Sequence, residues 1–150
     1  MLLIILCANA SACGLTDWGY ALPNDYAVLS ANSYSITIGG PERPAGNSWP
    51  IVIENYVTAF CFNERYVGAK QVPIDREKVD LEDFDKAVKT GETVYYIVDT
   101  ETQQVYGPWA TEEEYLQKCT DLQITGLCDW ISTKRINVGN VDEIVPTFPD

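Results

Sequence analysis

The stretch from Thr93 to Cys119, TVYYIVDTETQQVYGPWATEEEYLQKC, constrains the fold more than any other part of the chain. Val94, Tyr96 and Val98 alternate with Tyr95, Ile97 and Asp99, and the residues are β-branched or aromatic, so the segment reads as a strand. Both alternating sets are largely apolar, which points to a central strand covered on both faces. Asp99-Thr100-Glu101-Thr102 is polar and turn-prone, and Gln103 to Tyr106 resumes an extended pattern, so a hairpin is expected. Gly107-Pro108 is expected to break that second strand, because proline has no amide donor and restricts its predecessor. Thr111 followed three residues later by Glu114 forms a capping box, hydroxyl to backbone amide and carboxylate back to the cap. Glu112, Glu113 and Glu114 suit the positive end of the helix dipole. Tyr115, Leu116, Cys119 and Leu122 give the helix an apolar side.

The remaining segments are placed around this unit. Gly14 to Asn24 is a short lead-in carrying Trp18 and Tyr20. Tyr26 to Leu29 and Tyr34 to Ile38 are strand-like, the second alternating as Tyr34, Ile36, Ile38 against Ser35, Thr37. Gly39 to Pro50 is rich in glycine and proline and reads as a surface loop. Ile51 to Phe62 is a long extended run broken near Asn55, and Tyr66 to Val72 returns as its partner after an Asn63-Glu64-Arg65 turn. Asp75 to Lys89 places Leu81, Phe84 and Val88 on one helical face, with Gly91 as its stop. Ile124 to Ile131 and Ile136 to Val145 look like weaker strands. The whole reads as α+β: a mainly antiparallel sheet of five to seven strands with two helices, from Asp80 and from Thr111, packed on one face.

Composition excludes several chemistries. The chain of 150 residues contains no histidine. That removes the usual general base, the Ser-His-Asp and Cys-His arrangements and every His-containing metal site. A hydrolase would have to work through paired carboxylates or a lysine, and no spacing singles out such residues, so no catalytic residue is assigned. The formal net charge is -12, and the acidity lies in the second half: 17 acidic against 7 basic residues from Asp75 onward, 5 against 3 before it. Such a surface disfavours nucleic acid as a partner. It serves solubility, or it addresses a basic protein partner or a cation.

Residues 1 to 12 form a segment of another kind. An apolar run at positions 2 to 7 leads to Ala10-Ser11-Ala12-Cys13, which fits a loose lipobox with Cys13 as the lipidated residue. No Lys or Arg precedes the run, a feature that a start further upstream would supply; the rival is a buried first strand. On the lipoprotein reading, residues 1 to 12 are a signal peptide, residues 13 to 150 are one domain, and the partner at the N-terminus is a membrane, held through lipid. Cys61, Cys119 and Cys128 would then lie outside the cytoplasm. Cys119 and Cys128 are the nearer pair for a disulfide, against the alternative of three thiols in the core.

Other candidate sites carry less. Asp75 to Asp85 is densely acidic but lacks the central glycine of a calcium loop, so no metal is assigned. No CxxC occurs, and Gly39-Gly40 is not followed by a phosphate-loop pattern, so no cofactor is expected. Trp49 on the Gly39–Pro50 loop and Trp109 beside the Gly-Pro corner are the candidate binding residues, each weighed against a packed structural role.

Three segments taken in order carry a resemblance. YALPNDYAVLSANSYSITI at 20 to 38, YVTAFCFNERYVGAKQ at 56 to 71 and YYIVDTETQQVYGPWATEEEY at 95 to 115 resemble an uncharacterised family of small bacterial lipoproteins, the domain of unknown function 3997. The resemblance implies export, a single α+β domain and lipid attachment at Cys13. It implies no activity and no catalytic residue. The function expected is therefore that of a lipid-anchored envelope protein acting as a non-enzymatic binding module. The alternatives are an immunity-type inhibitor of a basic toxin and a carboxylate-dependent hydrolase.

Overall fold

The computed structural model describes residues 18–41 and 50–136. Cys13, Trp49, the signal-like segment and the expected strand from Ile136 to Val145 lie outside these residues, Ile136 itself excepted. Among the described residues nine strands occur, in order β1 (Trp18–Ala21), β2 (Ala27–Asn32), β3 (Ser35–Gly39), β4 (Ile51–Ile53), β5 (Val57–Phe62), β6 (Tyr66–Gln71), β7 (Val94–Asp99), β8 (Gln104–Trp109) and β9 (Ile131–Ser132). Two helices, α1 (Phe84–Thr90) and α2 (Glu112–Asp121), flank the β7–β8 hairpin in sequence. The class is α+β and the pairing is antiparallel.

The strands divide into two sheets, β1-β2-β3-β4 and β8-β7-β6-β5-β9. The division falls where Ile51–Phe62 was expected to break. Asn55 explains it: its side chain accepts from the Ile36 amide at 2.9 Å and donates to the Tyr34 carbonyl at 2.9 Å, standing in for a strand backbone. From Tyr56 the main chain turns to a new partner, exchanging two 3.0 Å bonds with Val72. Gln71 fastens the crossing, donating to the carbonyls of Glu54 and Asn55.

The five-stranded sheet has apolar cover on both faces, as the two apolar sets of β7 require. Strand alternation sorts the side chains. Val67, Ala69 and Val98 face the four-stranded sheet and join Val28, Ile36, Ile38, Val57 and Phe60 in the larger core. Helix α1 belongs to this layer: Phe84 sets its ring edge-on to Tyr34 at 5.2 Å and to Tyr56 at 5.4 Å. Cys61 and Ile97 face the other way, under Tyr115 and Cys119 of α2. The two helices thus serve opposite faces of one sheet rather than sharing a face. The reason is that β7 carries apolar side chains on both faces, Val98 toward one helix layer and Ile97 toward the other, and so needs a cover on each side.

Several local expectations are corrected. Trp18–Ala21 is a strand paired with β2, not a lead-in. Gly107-Pro108 does not end β8: a register shift opposite Tyr95–Ile97 absorbs the proline, and Trp109 pairs with Tyr95. Gly107 has φ +112, and a Cβ there would lie 2.6 Å from the Tyr95 carbonyl, so only glycine serves. Leu81 is exposed, because residues 81–83 form a 3-10 turn that aims it outward before α1 begins. Within the expected strand from Ile124 to Ile131, only Ile131 pairs, in β9 with β5.

Candidate binding face on helix α2

Helix α2 begins where the sequence places it. Thr111 Oγ1 accepts from the Glu114 amide at 3.3 Å, and Glu114 Oε2 accepts from the Thr111 amide at 3.1 Å. The cap fixes the rotation of the helix on the sheet. Tyr115 is fully buried, donates to the Leu127 carbonyl at 2.6 Å and lies 3.5 Å from Cys61 Sγ. Gly68 on β6 makes the space: a Cβ there would stand 2.3 Å from the Tyr115 hydroxyl.

Around this buried centre stands a ring of partly exposed aromatics: Tyr66, Tyr95, Tyr106, Trp109 and Trp130. Lys70 on β6 places its ammonium 4.4 Å from the Trp130 ring centroid and 5.4 Å from that of Tyr95. Glu112 Oε1 completes this arrangement, 3.3 Å from Lys70 Nζ and accepting from the Trp130 indole at 3.0 Å. Lys118 lies over Tyr106 at 4.7 Å, and Arg65 over Tyr66 at 5.1 Å. The sequence reading missed the Lys70–Trp130–Glu112 arrangement. Its signal was present as a single lysine inside the otherwise uncharged Tyr66–Val72 strand, on the same alternating set as Tyr66 and Gly68.

Trp109 sits at the end of β8, half-buried, edge-on to Tyr115 with the ring centroids 6.5 Å apart. It forms one wall of an open groove of about 440 Å³ whose other wall is the outer face of α2: Glu113, Glu114, Gln117, Lys118 and Asp121. Three carboxylates face one ammonium there. Glu114 is engaged in the cap, Asp121 Oδ1 accepts from Gln117 at 3.0 Å, and Lys118 is turned onto Tyr106. The helical spacing of Glu113, Gln117 and Asp121 sets them one turn apart along this wall.

The three cysteines of the described residues fall into two kinds. Cys61 and Cys119 are buried and Cys128 is exposed, and all three are thiols in this structure. Burial pushes the Cys61 thiol up to about 12 and raises that of Cys119. Neither has the electropositive, open setting that makes a thiol a nucleophile. The acidic Asp75–Asp85 stretch runs through a turn and a 3-10 segment into the first two residues of α1, with Lys78 held on Asp75 at 2.7 Å. Among the described residues no group of three or more Cys, Asp or Glu side chains is placed to hold a metal ion. Among them, too, no helix is long and apolar enough to cross a membrane.

The model of a family described as "Protein of unknown function (DUF3997)" matches residues 23–132. The chain belongs to that family. The match runs from the turn after β1 to the end of β9 and takes in both helices and every strand from β2 to β9. No curated protein and no solved structure matches the chain.

Proposed function

We propose that this is a lipid-anchored, non-enzymatic protein of the bacterial cell envelope whose domain binds a macromolecular partner at the groove between Trp109 and α2. The observation that carries the binding role is the groove itself. It joins a half-buried indole to a polar helix face in one open concavity. Aromatic side chains with a large apolar body and a polar tip are the usual anchors of such surfaces. The anchor is supported by the apolar run and by Ala10-Ser11-Ala12-Cys13. An immunity-type inhibitor of a basic toxin is a special case of the same reading, favoured by the net charge of -12.

Two experiments test the two halves. In cells fed an alkyne fatty acid, the wild type should be labelled and Cys13→Ser should not; equal labelling would remove the anchor. A photo-reactive residue in place of Gln117 should give discrete adducts in intact cells that the same residue in place of Lys78, exposed in the turn between β6 and α1, does not. Equal adducts from both positions would remove the binding face.

A further inference from the structure

The aromatics around α2 repeat one chemistry. Tyr66, Tyr95, Tyr106 and Trp130 each carry a cation of this chain over the ring, at 4.4 to 5.4 Å. The fullest case is Lys70, an ammonium over an indole with a glutamate oxygen at 3.3 Å. Trp109 is the remaining member of the set, and among the described residues no Lys or Arg lies over it. Its groove is lined by a glutamate of the first turn of α2, Glu113, the neighbour of the Glu112 that accepts from the Trp130 indole. Glu113 forms no ion pair among the described residues, and the groove carries two more carboxylates than ammonium groups.

We infer that the groove between Trp109 and α2 receives a lysine or arginine side chain from a basic protein partner. The inference rests on the binding role proposed above and adds the chemistry of what is bound. The face of an indole attracts a cation through the ring quadrupole, and a neighbouring carboxylate adds a charge-assisted hydrogen bond. A cation on a flexible stem can reach the ring from outside while its methylenes cover the indole edge. The net charge of -12 draws a basic partner from a distance, and the groove fixes where its side chain lands. Lys118 does not block the position, since its ammonium is held on Tyr106.

The test uses the full chain and three peptides: tetra-arginine, tetra-lysine and tetra-glutamate. The indole N–H resonances of the tryptophans are followed by NMR, with Trp109 assigned from Trp109→Leu. Tetra-arginine and tetra-lysine should shift the Trp109 resonance and tetra-glutamate should not. Raising the salt to about 0.5 M should suppress the response. The Glu113→Gln/Asp121→Asn variant changes exposed residues outside the core and should bind about tenfold more weakly, as should Trp109→Leu. Unchanged affinity in the Glu113→Gln/Asp121→Asn variant would overturn the inference, as would a response to tetra-glutamate or none to the cationic peptides. A response to free arginine equal to that of the peptide, at matched cation concentration, would replace the protein partner by a small cation. Discrete crosslinks from position 117 without any peptide response would remove the cationic partner and leave the binding role standing; loss of both would remove both.

Discussion

Arg65 and Asp99 meet through two bonds, Nε to Oδ1 at 3.0 Å and Nη2 to Oδ2 at 2.7 Å, joining the β5–β6 turn to the end of β7. The Asp99 carboxylate is buried and also accepts from the amides of Glu101 and Thr102, so it organises the β7–β8 turn. The same corner ties the two sheets together: Thr100 donates to the Arg65 carbonyl, and Asn24, between β1 and β2, donates to Thr100 at 2.8 Å.

The guanidinium and the turn amides hold Asp99 down at about 2, below its ordinary 3.8. A carboxyl depressed in the folded state contributes stability that is complete above its unfolded value and fades as pH falls through the folded one. Asp99→Asn should therefore lower stability by about 1–2 kcal/mol at pH 7, part of the effect being screened because Arg65 is exposed to water. The gap between variant and wild type should close between about pH 4 and pH 2. Urea unfolding across that range measures it; a gap that persists unchanged at the acid end would mean the charge is not its source.

Gly68→Ala should be among the costlier single changes in the chain. The new methyl would stand 2.3 Å from the Tyr115 hydroxyl and 2.7 Å from Cys61 Sγ, and the Tyr115 ring is packed on every side. A loss of about 2–3 kcal/mol is expected from overpacking. Tyr115→Phe alone loses the bond to Leu127 at about 1 kcal/mol. It also clears the atom nearest the methyl, so the double variant should be more stable than the sum of the two single losses. Strict additivity in chemical denaturation would show that the hydroxyl is not the obstacle.

Thr111→Ala removes one half of the cap on α2 and should cost about 1 kcal/mol. Glu114→Ala removes the other half. Because each half is made by the same pair of residues, the double variant should lose little more than either alone. Thermal unfolding of the three variants decides it.

Thiol labelling should separate the cysteines of the described residues. A maleimide at neutral pH should modify Cys128 readily and leave Cys61 and Cys119 untouched until the protein unfolds, as read by peptide mapping. With Cys61 raised to about 12 from an ordinary 9.0, the folded state favours the neutral thiol. Stability from this residue is therefore complete below about pH 9 and declines as pH rises toward 12. Native-state labelling of Cys61 as fast as Cys128 would contradict the burial.

The parts of the fold that were legible in the sequence are those fixed by local chemistry. The capping box, the β5–β6 hairpin, the β7 alternation and the break near Asn55 each rest on residues close in sequence. The partition into two sheets was not legible, because it depends on Asn55 bonding to Tyr34 and Ile36 across the intervening loop. Nor was the passage of β8 through Pro108, which requires the matching irregularity opposite Tyr95 on another strand. At the candidate site, Trp109 was singled out for its place beside the corner, whereas its groove is made by α2 side chains that look from sequence like ordinary helix surface. Lys70 was passed over because a strand sequence does not say which ring its ammonium will meet.

The alternation along β6 has one more consequence. Val67 and Ala69 point into the layer between the sheets, while Gly68 and Lys70 point toward α2. A slip of one residue in pairing would exchange these sets. It would drive the Lys70 ammonium into a dry interior and wedge a side chain against the Tyr115 hydroxyl, so the misaligned strand is rejected from both sides at once. Proofreading of alignment is thus built into four consecutive residues, and a substitution that relaxes it on one side still leaves the other side to enforce it.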